Sequence, residues 1–337
     1  MKPRRGRAVT LNQVARTAGV SLATASRALN GGIASPRAIA AVNRAVAQLG
    51  FVPNRAARTL ARQKTDAIAL VIPEDPAFLF YDPFLTRATH AIAAEFWRAN
   101  LQPLLLLMDP AEPLTNVAHF LHSGNVDGLV VASFHDNPAM EHKLEETGLP
   151  VVFVGRAPSG ENFPWVDVDG VQGGYLATKH MLEHGRRHIA MVGGPASMNA
   201  TADRQAGFLK AHQEAGVEPG PALTEVFDQA WGARAATLLV ERYPALDGVF
   251  AQSDPIAAGL LQGLRQAGRR VPDDVAVVGF DDFETATSVF PHLTTVRNPV
   301  AELSRAAAAL LIGYLEQGKW SDWPVILPAE LVIRQSA

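Results

Sequence analysis

Apolar residues recur at helical spacing in three successive stripes before Phe51, and beyond Ala67 the pattern changes to short unbroken apolar runs separated by amphipathic stretches. Leu11, Val14, Ala15 and Ala18 form the first stripe, and Thr10 with Gln13 makes a capping box at its start. Gly19 breaks it. Ser21 is placed to cap a second helix whose Ala25 and Leu29 face inward, which leaves Leu22, Ala23, Ser26 and Arg27 on the outer side. After Asn30 comes a loop, then Ser35 as an N-cap with Pro36 at the first helical position, a third stripe of Ile39, Val42, Val46 and Leu49, and Gly50 as the stop. Arg55 to Gln63 is a short basic segment in which Ala56, Ala57 and Leu60 line one side. It reads either as a plain linker or as a helix of about two turns, too short to be stable in water without a partner.

From Ala67 the strand candidates are Ala67–Ile72, Leu104–Met108, Gly128–Ala132, Val151–Val154, Ile189–Val192, Val249–Ala251 and Val275–Phe280. Helical stretches lie between them, among them Phe84–Ala99, Gly173–Glu183, Ala202–Ala215, Ala233–Arg242 and Ile256–Ala267. This alternation predicts parallel sheets with helices on both faces. The strands are too many for one sheet. The run from Asp127 to Ser133 (DGLVVAS) resembles that from Asp247 to Ser253 (DGVFAQS), so two similar α/β lobes with a cleft between them are expected. The predicted organisation is an all-α head at 1–52, a hinge at 53–65 and a two-lobed core at 66–337. Its first lobe is expected at about 66–164 plus 297–322, its second at about 165–296 plus 323–337.

Charge sharpens the reading of the head. Residues 1–65 hold twelve Lys or Arg and no Asp or Glu, which leaves 18 of the 30 basic residues against all 33 acidic ones in the remainder. The overall −3 therefore hides a front of about +12 on a body of about −15. An anionic partner for the front alone follows, and nucleic acid fits because each neutralised phosphate releases counterions. A polybasic membrane tail would cluster its charges and lack three helical stripes. Two short helices joined by a glycine turn, the second presenting small residues and one arginine, thus read as a helix-turn-helix rather than an ordinary surface pair. The 337 residues, 48% of them hydrophobic, have room for this head and one or two ordinary domains. There is no cysteine, so disulfides and thiolate metal sites are excluded. No apolar run of signal-peptide or membrane-spanning type occurs, so the expected location is the cytoplasm, with no membrane partner.

In open α/β sheets, ligands sit beyond the carboxyl ends of the strands. Asp109, Ser133, Arg156, Ser253-Asp254 and Asp281-Asp282 fall there, and Arg204 opens the helix after Gly193-Gly194. Convergent carboxylates and arginines suit a small polyhydroxylated molecule, because charged acceptors and forked donors can bond paired hydroxyls. Plainer roles stand beside these: Asp254 before Pro255 as an N-cap, Asp281 as a turn residue, Arg204 as a surface arginine. No Walker loop, nucleophile elbow, HExxH or dinucleotide fingerprint is present, and no histidine spacing nominates a metal site, so neither an enzyme nor a cofactor is expected.

The run VTLNQVARTAGVSLATASRALNG, followed by GFVPNRAARTL at 50–60, closely resembles the head and hinge of the lac and galactose repressor family of bacterial transcription regulators. The rest is similar to that family's effector-binding core, which is periplasmic-binding-protein-like: DGLVV at 127–131, Val168-Asp169, GGP at 193–195, Arg204 with Gly207-Phe208, Ser253-Asp254 with Ala257 and Gly259, VVGFDD at 277–282 and LTTVRNP at 293–299. The resemblance implies that Leu22, Ala23 and Arg27 face major-groove base edges, beside Thr24 and Ser26, with Thr10, Ser21 and Asn30 nearer phosphates. It favours the hinge-helix reading, since Asn54, Ala57 and Leu60 match in place, and makes Leu60 a minor-groove wedge. In the core it implies effector contacts from Phe84, Arg156, Arg204, Phe227, Ser253, Asp254 and Asp281. The chain departs from the pattern at Ser253, where many members have Asn, at His184-Gly185 in place of Gly-His, and at YDPF, 81–84. The expectation is a homodimeric repressor on a pseudo-palindromic double-stranded DNA operator, controlled by a small-molecule effector, a sugar or sugar derivative. The alternatives are a solute-binding protein of sugar transport and a regulator that uses a non-sugar or corepressor ligand.

Overall fold

The computed structural model describes residues 9–29, 32–51, 64–107, 115–133, 135–157 and 162–337. The chain forms two compact units, Met1–Thr65 and Asp66–Ala337. The first holds helices α1 (Leu11–Ala18), α2 (Leu22–Leu29) and α3 (Pro36–Leu49). Their ends are set chemically. Thr10 and Gln13 complete the capping box, Ser35 accepts the Ala38 N–H, and Gly19 and Gly50 take the left-handed conformation that stops α1 and α3. Val14, Ala15, Ala25, Val42 and Ala45 form the buried centre of this unit.

The second unit contains two six-stranded sheets. The first is built from β1 (Ala67–Ile72), β2 (Gln102–Leu107), β3 (Gly128–Ala132), β4 (Val151–Val154), β5 (Trp165–Val168) and β11 (Val325–Leu327), in the order β11-β5-β4-β3-β1-β2. All its pairs are parallel. The second, β6 (Ile189–Gly193), β7 (Ala222–Thr224), β8 (Gly248–Ala251), β9 (Ala276–Asp281), β10 (Thr294–Arg297) and β12 (Glu330–Val332), runs β12-β10-β9-β8-β6-β7, with only β12 antiparallel. Central strands such as β1, β3 and β9 are buried along their whole length, as expected where helices cover both faces.

Helices α4 (Pro76–Tyr81), α5 (Pro83–Arg98), α6 (Thr115–His122) and α7 (Pro138–Glu146) belong to the first lobe. The second has α8 (Gly170–Glu183), α9 (Asn199–Ala215), α10 (Gln229–Arg242), α11 (Asp254–Gln266) and the short α12 (Thr285–Ser288). The eighteen-residue α13 (Val300–Gln317) returns to pack on α5 and on β3 to β5. The DGLVVAS and DGVFAQS echo is structural: β3 and β8 hold equivalent places in the two sheet orders. The Asp127 carboxylate accepts the Asp66 N–H at the start of β1, as the Asp247 carboxylate accepts the Arg187 and His188 N–H groups at the start of β6.

The lobe boundaries differ from expectation. β5 and β11 lie in the first sheet, so the chain crosses after Val168, between Arg297 and Val300, and between Leu327 and Glu330, rather than at 164–165 and 322–323. The reason is pairing: β5 is bonded to β4 on one side and β11 on the other, and Asp169 N–H, the first residue past the crossing, donates to Leu327 O at 2.9 Å. β2 begins at Gln102, two residues before the predicted start.

Candidate functional site

On the head, α2 leaves Leu22, Ala23 and Arg27 exposed while Ala25 is buried, so these three occupy the outward side that the spacing predicts. Thr24 and Ser26 are half-buried. The Ser21 hydroxyl oxygen accepts the Thr24 N–H at 3.1 Å, which fixes the start of α2. A Cβ at Gly32 would lie 3.2 Å from Cγ of Arg27, so the loop backbone rests against the arginine stem and steadies it. Neither α1 nor α2 has an acid in its first turn, which leaves both positive helix ends open to phosphate. Asn30, Asn54, Ala57 and Leu60, with the rest of the 52–63 segment, lie outside the described residues, as does Asp109.

In the core, a cavity of about 270 Å³ lies between the lobes, at the carboxyl ends of both sets of strands. The first lobe contributes Glu74, Phe78, Asp82, Phe84, Ser133, His135, Arg156 and Asp167; the second contributes Met198, Asn199, Arg204, Phe227, Ser253, Asp281, Phe283 and Asn298. Of the expected effector residues, Phe84, Arg156, Arg204, Phe227, Ser253 and Asp281 are thus brought together.

Arg204 is 7% exposed and held on several sides, although its buried Nε has no hydrogen-bond partner. Its guanidinium stacks on Phe280 at 3.8 Å, donates to the Gln252 carbonyl and faces Asp281 Oδ1 at 3.7 Å. Asp281 ends β9 with φ of 109°, a strained backbone for a residue with a side chain, and its Oδ1 accepts from Asn298 Nδ2 at 3.0 Å. Burial pushes its carboxyl up to about 6, with Arg204 and Asn298 pulling the other way. Phe227 sits 5.8 Å from the Arg204 guanidinium, in space that a Cβ at Gly194 would fill.

One expected residue lies off the cavity, and two that line it are also held by the protein itself. Asp254 does not line the cavity: its carboxylate accepts Thr295 Oγ1–H at 2.6 Å and Phe283 N–H at 2.7 Å, tying α11 to β10 and the β9 loop. Arg156 lines the wall, but its guanidinium is held by Asp203 across the lobes, with Nη2 2.6 Å from Oδ1 and Nε 3.1 Å from Oδ2. Ser253 also lines the wall, with its hydroxyl oxygen accepting the Ile256 N–H as the cap of α11.

Sequence reasoning missed Glu74, Asp82, His135, Asp167, Asn199 and Asn298. Glu74 and His135 follow strands and were open to the strand-end rule, whereas Asp167 sits in β5, a strand too short to stand out. His135 joins the lobes: Nε2 lies 2.9 Å from Glu74 Oε1 and Nδ1 lies 2.8 Å from Ser197 Oγ, and the Glu74 hydrogen bond raises its pKa. Burial lifts Asp82 to about 7, with the charges of Asp281 and Glu74 adding to the effect. Among the described residues no His, Asp and Glu group is arranged to hold a metal, and no helix is long and apolar enough to cross a membrane.

A basic three-helix head joined to two parallel-sheet lobes around a cavity of mixed charged, polar and aromatic lining defines a ligand-responsive DNA-binding regulator. Residues 10–54 match the lacI family of bacterial regulatory proteins and residues 178–337 match a periplasmic binding protein-like domain. The chain belongs to the lacI family of bacterial transcription regulators. It is 36% identical to the HTH-type transcriptional regulator CelR of Thermobifida fusca over 98% of this chain and 99% of that one. It is 32% identical to the ribose operon repressor of Halalkalibacterium halodurans, covering 97% and 96% of the two chains. The solved structure of a transcriptional regulator CelR–cellobiose complex superposes with a TM-score of 0.78 at 34% identity, over 98% of this chain and all of the other.

Proposed function

We propose that this protein is a dimeric repressor that grips a pseudo-palindromic operator through α2 and the hinge, and releases or tightens it when a carbohydrate enters the interlobe cavity. One observation carries the reading: a cavity walled by both lobes and lined by charged, polar and aromatic side chains, in a chain whose separate head and hinge carry a dozen basic residues and no acid. Sugar-bound relatives support it, the CelR–cellobiose complex and a lacI-family regulator of Enterococcus faecium with bound ribose, which superposes at a TM-score of 0.70 with 26% identity, over 80% of this chain and 98% of that one. In this reading Arg27 donates bidentately to a guanine while Leu22 and Ala23 offer apolar contact to thymine methyls. Arg204 and Asp281 bond paired hydroxyls and Phe227 lies against the ring. The physical logic is linkage: a sugar that favours one arrangement of the lobes changes DNA affinity by the same factor by which DNA changes sugar affinity.

The test is selection of bound sequences from random duplex, followed by anisotropy titration with and without cellobiose or ribose. An inverted repeat is expected, and Arg27→Ala should lose about 1–3 kcal/mol of preference at one base position in each half-site. Full retention of sequence preference by Arg27→Ala would remove α2 from the reading role. A sugar that binds the core without moving the DNA affinity would overturn the effector role.

A further inference from the structure

The cavity holds two arginines, and a carboxylate already faces each guanidinium. Arg204 Nη2 stands 3.7 Å from Asp281 Oδ1, and Asp203 holds Arg156 through two nitrogens. The third basic group on the described wall, His135, is 2.9 Å from Glu74. Against these stand the wall carboxylates of Glu74, Asp75, Asp82, Asp167 and Asp281, to which Asp203 adds from behind Arg156. Glu74 Oε1 accepts from Ser133 Oγ at 2.6 Å as well as from His135, so it is fixed on the first-lobe wall. Asp82 is fixed by the Leu85 N–H at 2.8 Å.

A phosphate or carboxylate needs a forked donor free of other anions, and here it would meet a half-buried wall of its own sign. A sugar hydroxyl both donates and accepts, so it can bond these carboxylates and the braced guanidinium alike. We propose, resting on the carbohydrate reading above, that the cavity selects an uncharged sugar and rejects its phosphorylated and carboxylated forms, with Glu74 and Asp82 as the residues that set this specificity.

Because the chain has no cysteine, one introduced thiol reads the sign of the wall without any ligand. Met198→Cys puts it on the cavity wall and Glu241→Cys puts it on exposed surface. A cationic methanethiosulfonate should outpace an anionic one by about tenfold at Met198→Cys relative to the surface control, in the range expected for a charged cleft. Adding Glu74→Gln and Asp82→Asn should pull that ratio back to the control. A ratio at or below the control value overturns the proposal, and Ala200→Cys repeats the measurement if Met198→Cys fails to fold. In a second arm, thermal shifts of the full chain are compared for glucose, ribose and cellobiose beside glucose-6-phosphate, ribose-5-phosphate and cellobionate. Shifts confined to the uncharged members are expected; a phosphorylated or acid form that stabilises more than its parent overturns the proposal. If no sugar of either kind shifts the midpoint while the thiol keeps its cationic preference, the carbohydrate reading falls and the charge assignment stands.

Discussion

At Asp254 a fully buried carboxylate is held by one hydroxyl and one backbone N–H, and burial, reinforced by the charge of Asp281, lifts it from 3.8 to about 8. Between those values the folded chain holds the proton more tightly than the unfolded chain does. Its contribution to stability is therefore full below the unfolded value and is lost as pH rises through the folded one. Asparagine can accept the Phe283 N–H and donate to Thr295, so Asp254→Asn should fold and remove this dependence. Urea midpoints should show the variant gaining on the wild type by about 1.4 kcal/mol per pH unit within the window from about pH 5 to pH 8. Parallel stability curves would show that Asp254 is not the titrating group. Arg204→Ala has the opposite character, because it strands Asp281 in a buried site: a loss of about 3–5 kcal/mol is expected in urea unfolding, together with loss of any sugar-induced thermal shift. From the sequence both aspartates were strand-end candidates of the same kind. Only the packing separated one that faces the cavity from one that ties α11 to β10.

Helices α8 and α9 approach so closely that a Cβ at Gly174 would lie 2.1 Å from the Arg204 carbonyl oxygen, and one at Gly207 2.0 Å from the Val171 carbonyl oxygen. Both clashes are with backbone, which cannot swing aside. Gly174→Ala should therefore cost at least about 1–3 kcal/mol and should also shift Arg204, weakening effector response more than the stability loss alone accounts for. Wild-type unfolding by Gly174→Ala would contradict the packing. The spacing predicts both helices, but it starts them at Gly173 and Ala202, three residues inside their ends, because the first turns carry polar and small residues rather than an apolar stripe. The short strands β5, β7, β10, β11 and β12 were not legible, since all but β11 include polar residues and β11 is three residues long, whereas β4 and β8 are unbroken apolar runs of four. The long α13 was also passed over, although its apolar run is strong.

Across the whole core the lobes are clasped on both sides of the cavity. On one side Arg156 meets Asp203, His135 meets Ser197, and Asn199 Nδ2 donates to the Arg156 carbonyl at 3.1 Å. On the other, Arg87 Nη2 lies 2.5 Å from Glu284 and its guanidinium 4.7 Å from the Phe283 ring centre. Partly exposed ion pairs contribute about 0–1 kcal/mol each, so Asp203→Asn should leave the melting temperature nearly unchanged while weakening sugar affinity by up to about fivefold, as the closed arrangement loses population. Calorimetric titration checks this. Unaltered affinity would mean that the clasp has no share in closure, and a large fall in melting temperature would mean that it holds the fold together.

The sequence by itself determined the head, the charge contrast between head and core, the α/β alternation and the presence of two similar lobes. Each rests on signals read within a few residues or summed along the chain: a capping box at Thr10 and Gln13, a glycine stop, an apolar period, twelve bases without an acid. Tertiary structure alone decided which strand joins which sheet, that Arg156 pairs with Asp203 across the lobes, and that Glu74, Asp82, Asp167 and Asn298 join the cavity wall. These depend on meetings between residues far apart in the chain, such as the 47 positions between Arg156 and Asp203, and no local period or charge count records such a meeting.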